Sequence, residues 1–176
     1  TTSSSDEPTG VAVNPWNWHL FVSDDTGTRS IYEVDPGPDG VYSTPDDRVT
    51  SFATSAYSSR DPEGVAYATD GSGVLYVIDG VNREVYRVSP GLNGIFDGVP
   101  PTSDDQVSHW DTLTWGLDDP EGIAFDPDTG HLYAVGRPSR TLFEFTTDGA
   151  LVRTIDISVA NGRKLAGVSL GPHSQD

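Results

Sequence analysis

The sequence predicts an all-β protein, a β-propeller of four-stranded blades with about three blades in the chain. Three observations carry this. A Gly-centred motif recurs four times, at Gly10, Gly64, Gly122 and Gly167. Each of the first three copies is followed by three more short, alternating apolar segments. The stretches between segments are turn-rich, drawing on 19 Gly, 13 Pro and 21 of the 27 acidic residues as Asp, a turn-forming residue. Four short strands per repeat of 40–50 residues is the arithmetic of a propeller blade.

The innermost strands are expected at Glu7-Pro-Thr-Gly-Val-Ala-Val13, Asp61-Pro-Glu-Gly-Val-Ala-Tyr67 and Asp119-Pro-Glu-Gly-Ile-Ala-Phe125, with Lys164-Leu-Ala-Gly-Val-Ser-Leu170 opening a fourth unit. Second strands follow at 19–23, 74–78 and 131–135. Third strands are 30–34, 84–88 and 141–145, where apolar and polar residues alternate with period two. Fourth strands are 48–52, 106–110 and 151–155. The blades therefore run over 7–55, 61–113 and 119–160, with the start of a fourth at 164–172, inside one module spanning 1–176. Complete propellers have about 4–8 blades. The expectation is either half of a six-bladed ring completed as a homodimer by a second copy, or a piece of a longer propeller.

Asp119-Pro-Glu-Gly-Ile-Ala-Phe-Asp-Pro-Asp-Thr-Gly-His-Leu-Tyr-Ala-Val135, followed by Leu142-Phe-Glu-Phe-Thr-Thr-Asp-Gly149, resembles the repeats of NHL-like propellers, and is similar to the SdiA-regulated and phytase-like propellers. The resemblance runs along nearly the whole chain. It implies fold more than activity, because these folds host unrelated functions.

Composition narrows the classes. The net charge of −17 repels phosphate and argues against a nucleic-acid partner. The absence of Cys removes disulfides, thiolate metal sites and a Cys nucleophile. No apolar run is long enough for membrane insertion. No Gly-x-Ser-x-Gly, His-Glu-x-x-His or phosphate loop occurs. The four His have no metal-ligand spacing, and the aligned His19 and His131 read as structural. High Asp with a single Lys fits a secreted or cell-surface bacterial protein in a saline or calcium-rich medium.

Two related inserts separate the third and fourth strands of the first two blades, 36–47 and 90–105, where the third blade has only the turn 146–149. Each carries Pro-Gly, then Asp/Asn-Gly, an apolar-aromatic pair and a late Asp pair. Calcium takes six to eight oxygens from a curled loop. Asp39, Asp46 and Asp47 in one insert, and Asn93, Asp97, Asp104 and Asp105 in the other, are thus candidate Ca2+ ligands. The competing reading is that they cap turns.

In phytase-like and lactonase-like propellers, the Glu of an Glu-Gly at the start of an innermost strand can hold a metal in the central channel. The resemblance maps this onto Glu63 and Glu121; the other units have Thr9 and Ala166 there. Arg137 is expected to meet an anionic ligand or to pair with Asp24 or Asp79. Trp16 and Trp18 occupy turn positions that the third blade fills with Asp128 and Gly130. They mark a carbohydrate or protein contact, or pack on the N-terminal arm or a neighbouring blade. Trp110 and Trp115 are expected in the core. Together these readings point to a calcium-stabilised extracellular binding or scaffold module, with a metal-dependent hydrolase using Glu63 and Glu121 as the alternative.

Overall fold

The structure, a computed structural model, describes residues 5–162 and 164–171. It contains three four-stranded antiparallel sheets, each a simple meander. The first is β1 (Pro8–Val13), β2 (Leu20–Asp24), β3 (Ser30–Asp35) and β4 (Arg48–Ala53). The second is β5 (Pro62–Tyr67), β6 (Leu75–Asp79), β7 (Glu84–Ser89) and β8 (Gln106–Asp111). The third is β9 (Asp119–Asp126), β10 (His131–Arg137), β11 (Thr141–Phe145) and β12 (Leu151–Asp156). All twelve expected strands are present, each within two residues at either end.

The sheets pack face to face through alternate side chains. Phe21, Ile31 and Phe52 of the first meet Val65, Val77 and Tyr86 of the second, and Ile78 and Val85 of the second meet Ile123, Leu132 and Phe143 of the third. Innermost strands stack on one another, and here the recurrent glycine has its physical cause. A Cβ on Gly10 would lie 2.9 Å from the Gly64 Cα, one on Gly64 2.9 Å from the Glu121 carbonyl, and one on Gly122 2.8 Å from the Gly167 Cα. Only glycine allows backbones to approach this closely. The fourth inner segment continues the stack at Gly167. Among the described residues no strand pairs with it, so it carries no sheet assignment. Residue 172 of the expected fourth unit lies outside the described residues.

The repeat has one part that alternation could not reveal. A short 3₁₀ turn follows the last strand of each sheet, at Thr54–Tyr57, Leu113–Trp115 and Ser158–Ala160. Buried Thr54 and Thr112 each donate from backbone and hydroxyl to the carbonyls of Arg29 and Arg83, closing the outer hairpin. Trp110 packs against the core as expected. Trp115 does not: it sits on the second of these turns, whose residues are all unburied, and is 41% exposed.

Candidate functional site

In a meander the β1–β2 and β3–β4 connections leave one end of the sheet and the β2–β3 connection leaves the other. The inserts therefore share a face with the Trp hairpin, while the inner-strand entries gather at the opposite mouth of the central cleft. That cleft, about 350 Å3, is lined by Thr9, Gly64, Glu121, Gly122, Ile123 and Gly167 among others.

At the mouth, Glu63 has company that the sequence reading did not supply. Its carboxylate lies with those of Asp25 and Asp61, one oxygen of each within 4.8 Å of the others. Burial, then the charges of Glu121, Asp61 and Asp25, push the Glu63 carboxyl up to about 7. Asp61 is raised by burial and by Asp79 and Asp25. Glu121 takes a different partner. Its Oε2 accepts from Arg137 at 2.8 Å, so Arg137 pairs with neither Asp24 nor Asp79. Those two Asp accept neighbouring backbone N–H groups instead: Asp24 from Asp6 and Thr26, Asp79 from Arg60, Asp61 and Asn82. Burial raises the Glu121 carboxyl and Arg137 holds it back. The signal for Asp25 was its alignment with Gly80 and Arg137 in the loop after the second strand, and for Asp61 its place two residues before Glu63.

On the other face the two inserts differ. In each, a glycine at positive φ (Gly37, +68°; Gly91, +65°) lets a late Asp close on the loop start. In the first insert the carboxylates serve turns. Asp39 accepts from the Val41 N–H, Asp46 from the Thr44 hydroxyl and Asp47 from the Ser43 N–H. Thr44 accordingly holds the Asp46 carboxyl below its usual range.

The second insert is longer, 16 residues against 12, and is anchored. Phe96 enters the seam between the first two sheets, its ring 5.4 Å from Phe21 and 6.1 Å from Phe52. That brings Asp97 beside Asp104 and Asp105, with one oxygen of each within 4.8 Å. Asp105 is 2% exposed; its Oδ2 accepts from the Gly98 N–H, while its Oδ1 and the buried Asp104 Oδ1 find no protein partner. Burial, with the Asp97 and Asp104 charges, raises the Asp105 carboxyl to about 6. Asn93 lies at the edge, its side-chain N–H donating to Asp97 at 3.2 Å.

No protein-family model matches the sequence, and no curated protein matches it. Solved structures do share its fold. A luciferin-regenerating enzyme aligns with a TM-score of 0.64 at 17% identity, over 92% of this chain and 49% of that one. Virginiamycin B lyase from Staphylococcus aureus gives 0.60 at 18%, over 93% and 46%. A chain of a nidogen/laminin complex gives 0.58 at 19%, over 84% and 48%. The fold is a β-propeller. The chain spans about half the length of these propellers.

The Trp hairpin stands on the insert face of the propeller. Trp16 meets Tyr67 of the next blade edge-on at 6.0 Å yet is 58% exposed, and Trp18 is 61% exposed. The Trp18 carbonyl accepts from the Tyr42 hydroxyl of the first insert. His19 and His131 each bridge to the Glu of the third strand, Glu33 and Glu144, at 2.6 and 2.7 Å, as expected of structural residues.

Proposed function

We propose that this chain is a calcium-stabilised propeller module of the cell exterior that binds or scaffolds a partner. One observation carries the reading: three carboxylates of the second insert converge, two of their oxygens are buried and unpartnered, and one of the groups is itself almost wholly buried. Two or three anionic oxygens this close repel one another unless a cation offsets the charge. A hard, oxygen-only set of carboxylates suits Ca2+ rather than a softer metal. The Asp-rich, Lys-poor composition fits a calcium-rich exterior. Melting the protein with calcium and with chelator tests this. A higher Tm with calcium, and bound calcium by elemental analysis, are expected; identical melting and no metal would refute it. The reading includes further blades, from a second copy or from a longer chain, and sedimentation separates a dimer from a monomer.

A second reading is favoured by the Asp25–Asp61–Glu63 cluster. It is a metal-dependent hydrolase with a divalent ion at the channel mouth, held by Glu63 with Asp25 and Asp61, while Glu121 is partly neutralised by Arg137. Similarly folded chains include a luciferin-regenerating enzyme, a virginiamycin B lyase and a chain of a nidogen/laminin complex, so the fold favours neither reading. Phosphomonoester or lactone turnover with added calcium, lost in Glu63→Gln, would establish this second reading over the first.

A further inference from the structure

One charge arrangement is complete in the third blade and lacks a member in the first. In the third blade Glu144 is 3% exposed, and both of its oxygens are engaged. Oε1 lies 2.7 Å from His131 Nδ1, and Oε2 accepts from Arg153 Nε. Arg153 stands directly across the strand pair from Glu144. A carboxylate this buried needs a cation to offset its charge, and the guanidinium supplies it.

The first blade repeats the acid and the imidazole. Glu33 pairs with Phe21 as Glu144 pairs with Tyr133, and its Oε1 lies 2.6 Å from His19 Nδ1. Across the strand pair from Glu33, however, stands Thr50. Where the guanidinium is missing, a cleft of about 290 Å3 opens, lined by His19, Glu33, Asp35, Arg48, Thr50 and Ile95 among others. Asp35 faces Arg48 across the strands and lies 3.4 Å from His19 Nε2. With His19 neutral, two carboxylates and one guanidinium leave the cleft one negative charge. The acid with no cation opposite it is Glu33. Folding does not require an acid there, since the second blade has Arg87 at that place, opposite Ser108.

We propose that this cleft binds a guanidinium group presented by a ligand, with Glu33 as its carboxylate partner. The ligand's group takes the place that Arg153 fills in the third blade. A planar guanidinium matches a carboxylate with two parallel N–H donors, and the methylene stem behind it packs on aliphatic surface, here Ile95. The volume lies at the lower end for ligand pockets, about 300 Å3, and suits one side chain or a small cation. The net charge of −17 draws such cations towards the protein. The site names the partner chemistry for the binding module proposed above and rests on that reading, but not on its calcium. The two fail separately, since calcium is read from melting and elemental analysis and the guanidinium from titration.

The full chain is titrated by calorimetry with agmatine, with the tripeptide acetyl-Gly-Arg-Gly-amide and with the same tripeptide carrying citrulline, the uncharged isostere of arginine. At least one guanidinium compound should give a saturable isotherm, and the citrulline peptide should give none. Tighter binding of the peptide assigns the site to an arginine side chain of a partner, and tighter binding of agmatine to a free small molecule. Glu33→Gln should weaken binding about tenfold or more, the size of one lost charge-assisted pair. Thr50→Arg places a guanidinium opposite Glu33 within the chain itself. It should abolish binding while Tm stays level or rises. Asp128→Asn, in an exposed turn of the third blade, should bind as wild type and so exclude a general attraction of cations to an acidic surface. The proposal is overturned if neither guanidinium compound saturates, if the citrulline peptide binds equally, if Thr50→Arg binds as wild type, or if Asp128→Asn weakens binding as much as Glu33→Gln.

Discussion

The glycine stack at the channel gives the sharpest test of the architecture. In Gly64→Ala the new methyl would sit 2.9 Å from the Glu121 carbonyl oxygen, 3.0 Å from Ile78 Cγ2 and 3.1 Å from the Ile123 nitrogen. Two of those atoms are backbone of β9, so relief requires the second and third blades to separate. Over-packing costs about 1–3 kcal/mol, and a backbone obstacle places this case at the upper end. Removing the conformational freedom of an unfolded glycine returns about 0.5–1 kcal/mol. The net loss of about 2 kcal/mol corresponds to a Tm lowered by about 4–8 °C in a chain of this size.

Gly167→Ala is the internal control. It holds the same motif position, but a Cβ there meets nothing within 4 Å among the described residues. With no clash to offset the about 0.5–1 kcal/mol returned by the unfolded chain, its Tm should lie at or up to about 4 °C above wild type. Thermal unfolding followed by far-UV circular dichroism reads both. A Gly64→Ala protein that melts with wild type would refute the argument that backbone approach, rather than turn chemistry, explains the motif. A destabilised Gly167→Ala would show that another blade stacks on the fourth inner segment, and sedimentation would then tell a second copy from an intramolecular contact.

Three further outcomes follow from the same geometry. Asp105 titrates at about 6 in the fold against an ordinary 3.8, so its ionisation penalty is absent at low pH and grows as pH rises through that window. In chelator, Asp105→Asn should therefore melt above wild type at pH 7.5 and level with it near pH 4, and the calcium response should vanish. Glu63, pushed up to about 7, behaves likewise: without divalent cations Glu63→Gln should raise Tm at pH 8 and leave it unchanged at pH 5. Phe96→Ala should cost about 3 kcal/mol, within the usual range for a buried Phe, whereas Tyr42→Ala at the matching exposed position of the first insert should cost under about 0.5 kcal/mol in a denaturant melt.

The strands, their order and the blade repeat could be read directly from the chain. A strand side chain alternates with period two, and that pattern is local. The recurrent glycine was legible too, although its cause, the stacking of inner backbones, appears only when the blades are side by side. The inserts were visible as a duplication, and their residues as oxygen donors. What the residues could not disclose is that the duplicates diverge. Phe96 packs against Phe21 and Phe52 while the matching Tyr42 stays at the surface, and the four extra residues that follow Phe96 lie in the stretch that brings Asp104 and Asp105 back to Asp97. The same holds at the channel mouth. Glu63 stood out by its motif, but Asp25 joins it from a loop 38 residues earlier, and Arg137 selects Glu121 over Asp24 and Asp79. By itself the sequence determined an Asp-rich propeller with its turns and strand faces, because each depends on neighbours along the chain. Which carboxylates share one site was decided by the tertiary structure, because those distances are set by how the inserts and loops pack onto the blades.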